Sequence, residues 1–366
     1  MDYEILRLVW WLLTGVLLAA FAATDGYDLG MAALLPFVAK TDEERRAAIN
    51  SVGATWEGSQ VWLILGGGAI FAAWPPLYAG AFSGFYFAML LVLWALILRP
   101  VGFKFRGKVD DPRWRNVWDW ALFVSGFVPA LVFGVAFGNL FLGVRFGFDA
   151  DLRFHSEITL FSLLSPFALL VGLVSLSMLV LHGAAWLLYK TTGPVAARAS
   201  RVMPYAAAVY AALFTAAGFW LVNLDGARVT SVVDPNGPSN PLLKTVATVP
   251  GAWLANAYAH PSLWLLPLGA LVAAGLAVRL RARPLRAFLA SALVPIFTIA
   301  TAGSALFPFL LFSSSEPGMS LTVWDASSSK LTLGIMLGAA AIFLPLIVAY
   351  TGWVYRVMRG PVDSVY

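Results

Sequence analysis

The sequence predicts an all-α integral membrane protein that crosses the bilayer nine times. Three observations carry that expectation. Of 366 residues, 60% are hydrophobic and only 12% charged, with a mean hydropathy of +0.80. Nine apolar runs are each longer than the ~20 residues that span ~30 Å of hydrocarbon as a helix. Lysine and arginine concentrate in alternate connections between the runs. A soluble domain carries about 25% charged residues, and half that supply cannot cover a water-facing surface. The remaining apolar surface has to face lipid.

The runs, in order, show what each helix would carry. The first, 6–38, contains two acids, Asp25 and Asp28. The acidic start Met1-Asp2-Tyr3-Glu4 lacks the basic flank of a cleavable signal, so this helix is expected to be retained. The second, 50–73, holds Glu57 about two turns inside its first end, and the third, 75–98, brings Gly80 and Gly84. The fourth, 114–142, has Asp119 near its start and Gly134 with Gly138 further on. Small residues four apart signal close helix contacts, either within the chain or between subunits. The fifth, 160–190, contains His182, and the sixth is 199–223. A turn-rich loop, roughly 224–260, then precedes the last three runs, 261–280, 285–312 and 331–356. None of the runs shows barrel-like alternation, so helices are the way across. A single polytopic membrane domain over 1–366 is the expectation.

Orientation follows from counting cations. Connections after odd-numbered runs, with the C-terminus, hold 18 Lys and Arg; the opposite side holds 6. By the positive-inside rule the larger set faces the cytoplasm, which puts the N-terminus in the periplasm and the C-terminus inside. The net charge of +5 is therefore a matter of topology, not of nucleic-acid binding.

Composition also limits the chemistry. Cysteine is absent, which removes disulfides, thiolate metal sites and cysteine nucleophiles together. Of three histidines, His155 and His260 fall in outer loops, and only His182 lies in a run. It is a structural residue or a lone haem ligand without an evident second ligand. No metal-site motif, phosphate loop or catalytic triad is present, and no catalytic residue is expected in this chain.

An ionisable side chain inside a bilayer costs at least a few kcal/mol and needs a reason. Asp25 and Asp28 are three apart, neighbours on one helix face. Two readings are open for them and for Glu57: a relay of protonatable groups running in from the cytoplasm, or acids tied structurally to arginines or helix ends. Carboxylates suit the relay because burial favours their neutral, proton-carrying form. For Asp119 the structural reading leads, since a helix start favours an acid.

Longer segments carry a resemblance. Asp25-Gly26-Tyr27-Asp28-Leu29-Gly30, Trp56-Glu57-Gly58-Ser59-Gln60-Val61-Trp62-Leu63, Arg99-Pro100-Val101-Gly102-Phe103 and Leu321-Thr322-Val323-Trp324-Asp325-Ala326 are similar to subunit II of cytochrome bd ubiquinol oxidase. The likeness runs from the first residues to the last helix and is strongest over 1–145. It implies a haem-free partner of subunit I, pseudosymmetric to it, with haem b, haem d and the quinol-oxidising loop all in subunit I. It implies a bacterial inner-membrane complex that reduces oxygen with quinol electrons and cytoplasmic protons, generating a proton-motive force. In some members a structural quinone sits in subunit II and small single-helix accessory subunits attach, with lipid filling apolar grooves. By motif, Trp56 and Glu57 match the family's proton-intake pair, Asp25 an intramembrane acid implicated in proton supply, and Trp62 a position on an oxygen path; Asp28 stands beside Asp25 as a proton-path candidate by its spacing alone. One position departs. Some members carry an acid where Lys104 stands, which leaves Glu57 to take protons directly, or Asp110 or Asp111 to substitute, or Lys104 as a headgroup anchor. A secondary transporter or proton channel, with the same acids coupling transport, is the alternative from another class, and a membrane scaffold is a third.

Overall fold

Apolar helices connected by capped turns dominate the computed structural model, which describes residues 1–53 and 55–362. Ala54, inside the predicted run 50–73, lies outside the described residues. The helices are α1 Tyr3–Thr24, α2 Gly26–Val38, α3 Asp42–Gly53, α4 Trp56–Ala73, α5 Pro75–Gly84, α6 Tyr86–Phe105, α7 Pro112–Leu142, α8 Pro166–Lys190, α9 Gly193–Leu221, α10 Ala255–Ala259, α11 Leu265–Arg279, α12 Pro284–Leu306 and α13 Lys330–Val357. Their starts follow local chemistry. Asp111 accepts from the Arg113 amide at 2.8 Å ahead of α7, and Ser165 and Ser329 cap α8 and α13 in the same way.

Among the described residues eight helical segments, not nine, are both long and apolar enough to cross a bilayer. The first run is one such segment, Tyr3–Val38, in which α1 and α2 meet at Asp25. The difference lies at 50–98. The residues before Thr55 belong to the polar helix α3, and α4 has only 18 residues, about 27 Å at 1.5 Å per residue. Glu57 and Gln60 lower its apolarity. The run 75–98 divides into α5 and α6, and α6 continues through Pro100 to Phe105. The run 285–312 stops helically at Leu306, because Phe309–Leu311 (β5) pairs with Leu321–Thr322 (β6).

Close approach organises the centre. Gly30 on α2 meets Gly183 on α8 so tightly that a Cβ on Gly30 would fall 1.8 Å from the Leu179 carbonyl oxygen. Gly134 and Gly138 on α7 sit against Gly172 and Ala168 of α8, and Gly80 and Gly84 against Phe154 and Ile158. Both small-residue pairs are internal packing.

The loops that follow alternate helices carry three two-stranded sheets. Phe146–Phe148 (β1) pairs with Phe154–Ser156 (β2), and Asp225–Val229 (β3) with Val246–Pro250 (β4). The turn-rich loop after β3 clasps the start of α1. Arg7 is fully buried and donates to the Gly237 carbonyl at 3.1 Å, Ser239 Oγ at 2.9 Å and Ser327 Oγ at 2.8 Å. Beside it Lys244 and Asp325 form a buried ion pair at 2.8 Å; burial pushes the Lys244 ammonium down from its usual range, and the carboxylate opposes that.

Five of the cations counted by side, Arg106 and Lys244 among them, are buried and not exposed loop charges. Arg7, Arg99 and Lys190 are the others, with Lys190 donating to the Met358 and Gly360 carbonyls just past α13.

Candidate functional site

Asp25 sits at the junction of α1 and α2, its amide donating to the Phe21 carbonyl at 2.8 Å as α1 ends. Because α6 runs on past Pro100, Arg99 is carried inside the protein. Its Nη1 donates to Asp25 Oδ1 at 2.6 Å, with side-chain exposures of 0% and 1%. Asp28, one turn further along α2, is also buried. Among the described residues neither of its carboxylate oxygens has a hydrogen-bond partner, and Asp25 Oδ2 and two guanidinium nitrogens of Arg99 are also unpartnered. Arg99 therefore pairs with Asp25 alone, and among the described residues the second buried carboxylate has no hydrogen-bonded cation. The ion pair gives a structural account of Asp25; it leaves Asp28 as a carboxyl group on which a proton can rest.

The other predicted residues are distributed around this centre. Trp56 is buried, edge-on to Phe103 with ring centroids 5.5 Å apart. Glu57 stands in the first turn of α4 and is exposed, not two turns inside, because the helix begins at Trp56. Trp62 is buried on α4, where that helix packs along α1. Lys104 is exposed. Asp110 pairs with Arg115 at 2.6 Å and Asp111 caps α7, so both substitutes for an acid at 104 already hold other partners.

Asp119 takes the structural reading. It is buried two turns into α7 and accepts from Arg45 at 2.6 Å and from Arg106. Arg106 also reaches Asp42, and Glu44 accepts from Arg198 at 2.7 Å, tying α3 to α7 and α9. The Arg198 hydrogen bonds hold the Glu44 carboxyl down at about 2.

His182 is buried with both ring nitrogens engaged, Nδ1 with Ser291 Oγ at 2.8 Å and Nε2 with the Ala23 carbonyl at 2.9 Å. That leaves neither nitrogen for iron. Among the described residues no three His, Asp or Glu side chains converge for a metal. An apolar cavity of about 640 Å³ opens between α1, α7, α8, α9 and α12, walled by residues such as Phe137, Phe167 and Trp253. The Thr301 and Ser304 hydroxyls on its wall donate to carbonyls of their own helix, so the cavity offers bulk apolar surface and few donors.

Sequence reasoning found Asp25 and Asp28 but missed Arg99. The apolar residues on both sides of it, Leu96-Ile97-Leu98 and Val101-Gly102-Phe103, were the signal that the helix continues.

Comparison with known proteins gives a consistent result. The family profile described as cytochrome bd terminal oxidase subunit II matches residues 6–358. The probable cytochrome oxidase subunit 2 of Haemophilus influenzae is 51% identical, covering 99% of this chain and 97% of its own length. The cytochrome bd-I ubiquinol oxidase subunit 2 of Escherichia coli K12 is 48% identical with the same coverage, and the Bacillus subtilis cytochrome bd subunit is 30% identical over 97% of this chain and 96% of its own. In structure, a chain of the bd oxidase from Geobacillus thermodenitrificans superposes with a TM-score of 0.65 over 98% of both chains; at 15% identity that likeness speaks for the fold alone.

Proposed function

Because the chain belongs to the cytochrome bd terminal oxidase subunit II family, we propose that it works as the haem-free half of a bacterial inner-membrane quinol oxidase, beside a subunit I that carries haem b and haem d. The complex passes quinol electrons to oxygen and generates a proton-motive force. The observation that carries a role in proton supply is the buried group of Asp25, Arg99 and Asp28, in which one carboxylate lacks a counter-charge.

Protons enter from the cytoplasm at Trp56 and Glu57 and reach Asp25 and Asp28, while Trp62 lines a route for oxygen. Lys104, exposed at the end of α6, serves as a headgroup anchor. The fold is a single membrane domain of nine crossings, with the short α4 as the ninth, the N-terminus periplasmic and the C-terminus cytoplasmic. Its architecture mirrors that of subunit I.

Subunit I docks on the face made by α4 and α13. A lipid-facing glutamate is costly, so the exposed Glu57 calls for a protein cover. The same face presents Gly67 and Gly68 on α4 and Gly334 and Gly338 on α13, where an added Cβ would meet nothing within 4 Å. Such open small residues let a partner helix approach. Along its whole length α13 buries only Leu333. The apolar cavity takes the tail of a quinone or a lipid, since it supplies few donors for a headgroup. Single-helix accessory subunits attach outside this contact. The transporter reading draws on the acids alone and has no observation of its own.

Purification of the chain from its native membrane should yield a larger haem-bearing subunit, with visible absorption only in that company; stoichiometric haem on the isolated chain would overturn the assignment. Glu57→Gln should slow oxygen reduction severalfold with haem content intact. Unchanged turnover at saturating quinol would remove Glu57 from the path.

A further inference from the structure

Tyr27 stands between the two buried aspartates in sequence, yet its hydroxyl belongs to a different contact. The side chain is fully buried, its ring stacked on Trp186 with centroids 4.0 Å apart. The hydroxyl donates to Thr55 Oγ1 at 3.1 Å, immediately ahead of α4 and two residues from Glu57. Tyr355, near the last turn of α13, brings a second phenol to within 2.6 Å of Tyr27 Oη. Tyr27 has one proton and gives it to Thr55, so Tyr355 is the donor in this second contact. Three hydroxyls from α2, the start of α4 and α13 thereby join into one chain. Both tyrosines lie within electrostatic reach of Asp28, and Tyr355 within reach of Asp25 as well.

We infer that Thr55, Tyr27 and Tyr355 form a hydroxyl relay that carries protons from the exposed first turn of α4 to the unpaired carboxyl group of Asp28. The inference rests on the proposed intake at Glu57 and adds the connection between that surface and the buried acids. A contact that only clamped α13 to α2 would need neither the third hydroxyl nor the unpartnered carboxylate beyond it.

The proton count closes. Thr55 Oγ1 takes up an arriving proton and passes its own to Tyr27, the phenolic proton of Tyr27 moves to Tyr355, and that of Tyr355 leaves for Asp28 by way of water. Each oxygen gains one proton and loses one, so no hydroxyl changes charge at the end. The arrangement left behind has Tyr27 donating to Thr55 and Tyr355 donating to Tyr27, which is the arrangement the structure holds. Rotation of the hydroxyls resets the chain for the next proton.

The test uses the whole oxidase complex in membranes, with Tyr27→Phe and Tyr355→Phe, each of which keeps the ring. Oxygen consumption at saturating quinol should fall on the order of tenfold, with haem absorbance unchanged and a larger rate ratio between H2O and D2O. Thr55→Val should act in the same direction and Thr55→Ser should restore the rate. Wild-type rates and isotope ratios in both tyrosine variants would overturn the relay. If Glu57→Gln is slow in the same assay, the proposed intake survives that result; if it too is unaffected, both fall. Loss of assembly in both tyrosine variants would mark the phenols as a clamp and also overturn the relay.

Discussion

Arg99 meets Asp25 at 2.6 Å where neither side chain touches solvent. Removing one member of such a pair strands the other as a buried charge, at a cost of about 3–5 kcal/mol. Arg99→Met should therefore greatly reduce the amount of assembled complex in membranes. Adding Asp25→Asn to that variant should recover part of the loss, because the stranded carboxylate is then neutral. Equal yields for the single and double variants would show that the pair is not the reason for the defect. Haem absorbance of isolated membranes gives the measurement.

The crossing of α2 and α8 leaves no room for a methyl group. A Cβ on Gly183 would lie 2.3 Å from the Gly30 carbonyl carbon. Gly183→Ala should force the helices apart and lower the thermal stability of the solubilised complex by several kcal/mol, in the range of severe overpacking. Gly275→Ala on α11, where an added Cβ meets nothing within 4 Å, should not lower the melting temperature.

Glu44 sets an acid limit. Its ordinary value of 4.5 is lowered to about 2 by the hydrogen bonds from Arg198. A carboxyl lowered in the folded state contributes stability above its unfolded value and loses it as pH falls through the folded one. The contribution should thus be complete above about pH 5 and vanish between roughly pH 4.5 and pH 2. Melting curves of the complex against pH should show Glu44→Gln converging with the unaltered protein at the acid end of that window. A constant difference at all pH values would count against the pair.

His182 should prove to be structural. With Ser291 and the Ala23 carbonyl occupying its nitrogens, His182→Phe should leave the haem count of the complex untouched and destabilise it by roughly 1–3 kcal/mol, the cost of unsatisfied buried groups. A lost haem band would contradict this geometry.

Sequence reading recovered most of the membrane segments because twenty-residue apolar runs have few alternatives. It failed where charge and hydrophobicity gave opposing signals. Arg99 was assigned to a loop by its charge, although α6 carries it inside through Pro100. The run begun at residue 50 places Glu57 too deep, because residues 50–53 belong to the polar helix α3 and α4 starts only at Trp56. Asp25 and Asp28 were legible as a pair; their separate circumstances, one paired and one unpartnered, depend on Arg99, 74 residues after Asp25. The relay tyrosines were invisible for the same reason, since Tyr27 and Tyr355 are 328 residues apart.

The clasp around Arg7 bears on how the chain is made. Its guanidinium waits for Gly237 and Ser239, and finally for Ser327, 320 residues downstream. The first helix is made early in synthesis, but the Arg7 end of it meets all of these acceptors only once the chain has been made as far as Ser327. Without the segment from Gly237 to Ser327 the Arg7 guanidinium lacks these acceptors. The clasp thus ties the start of the first helix to residues that the chain supplies only late in its length.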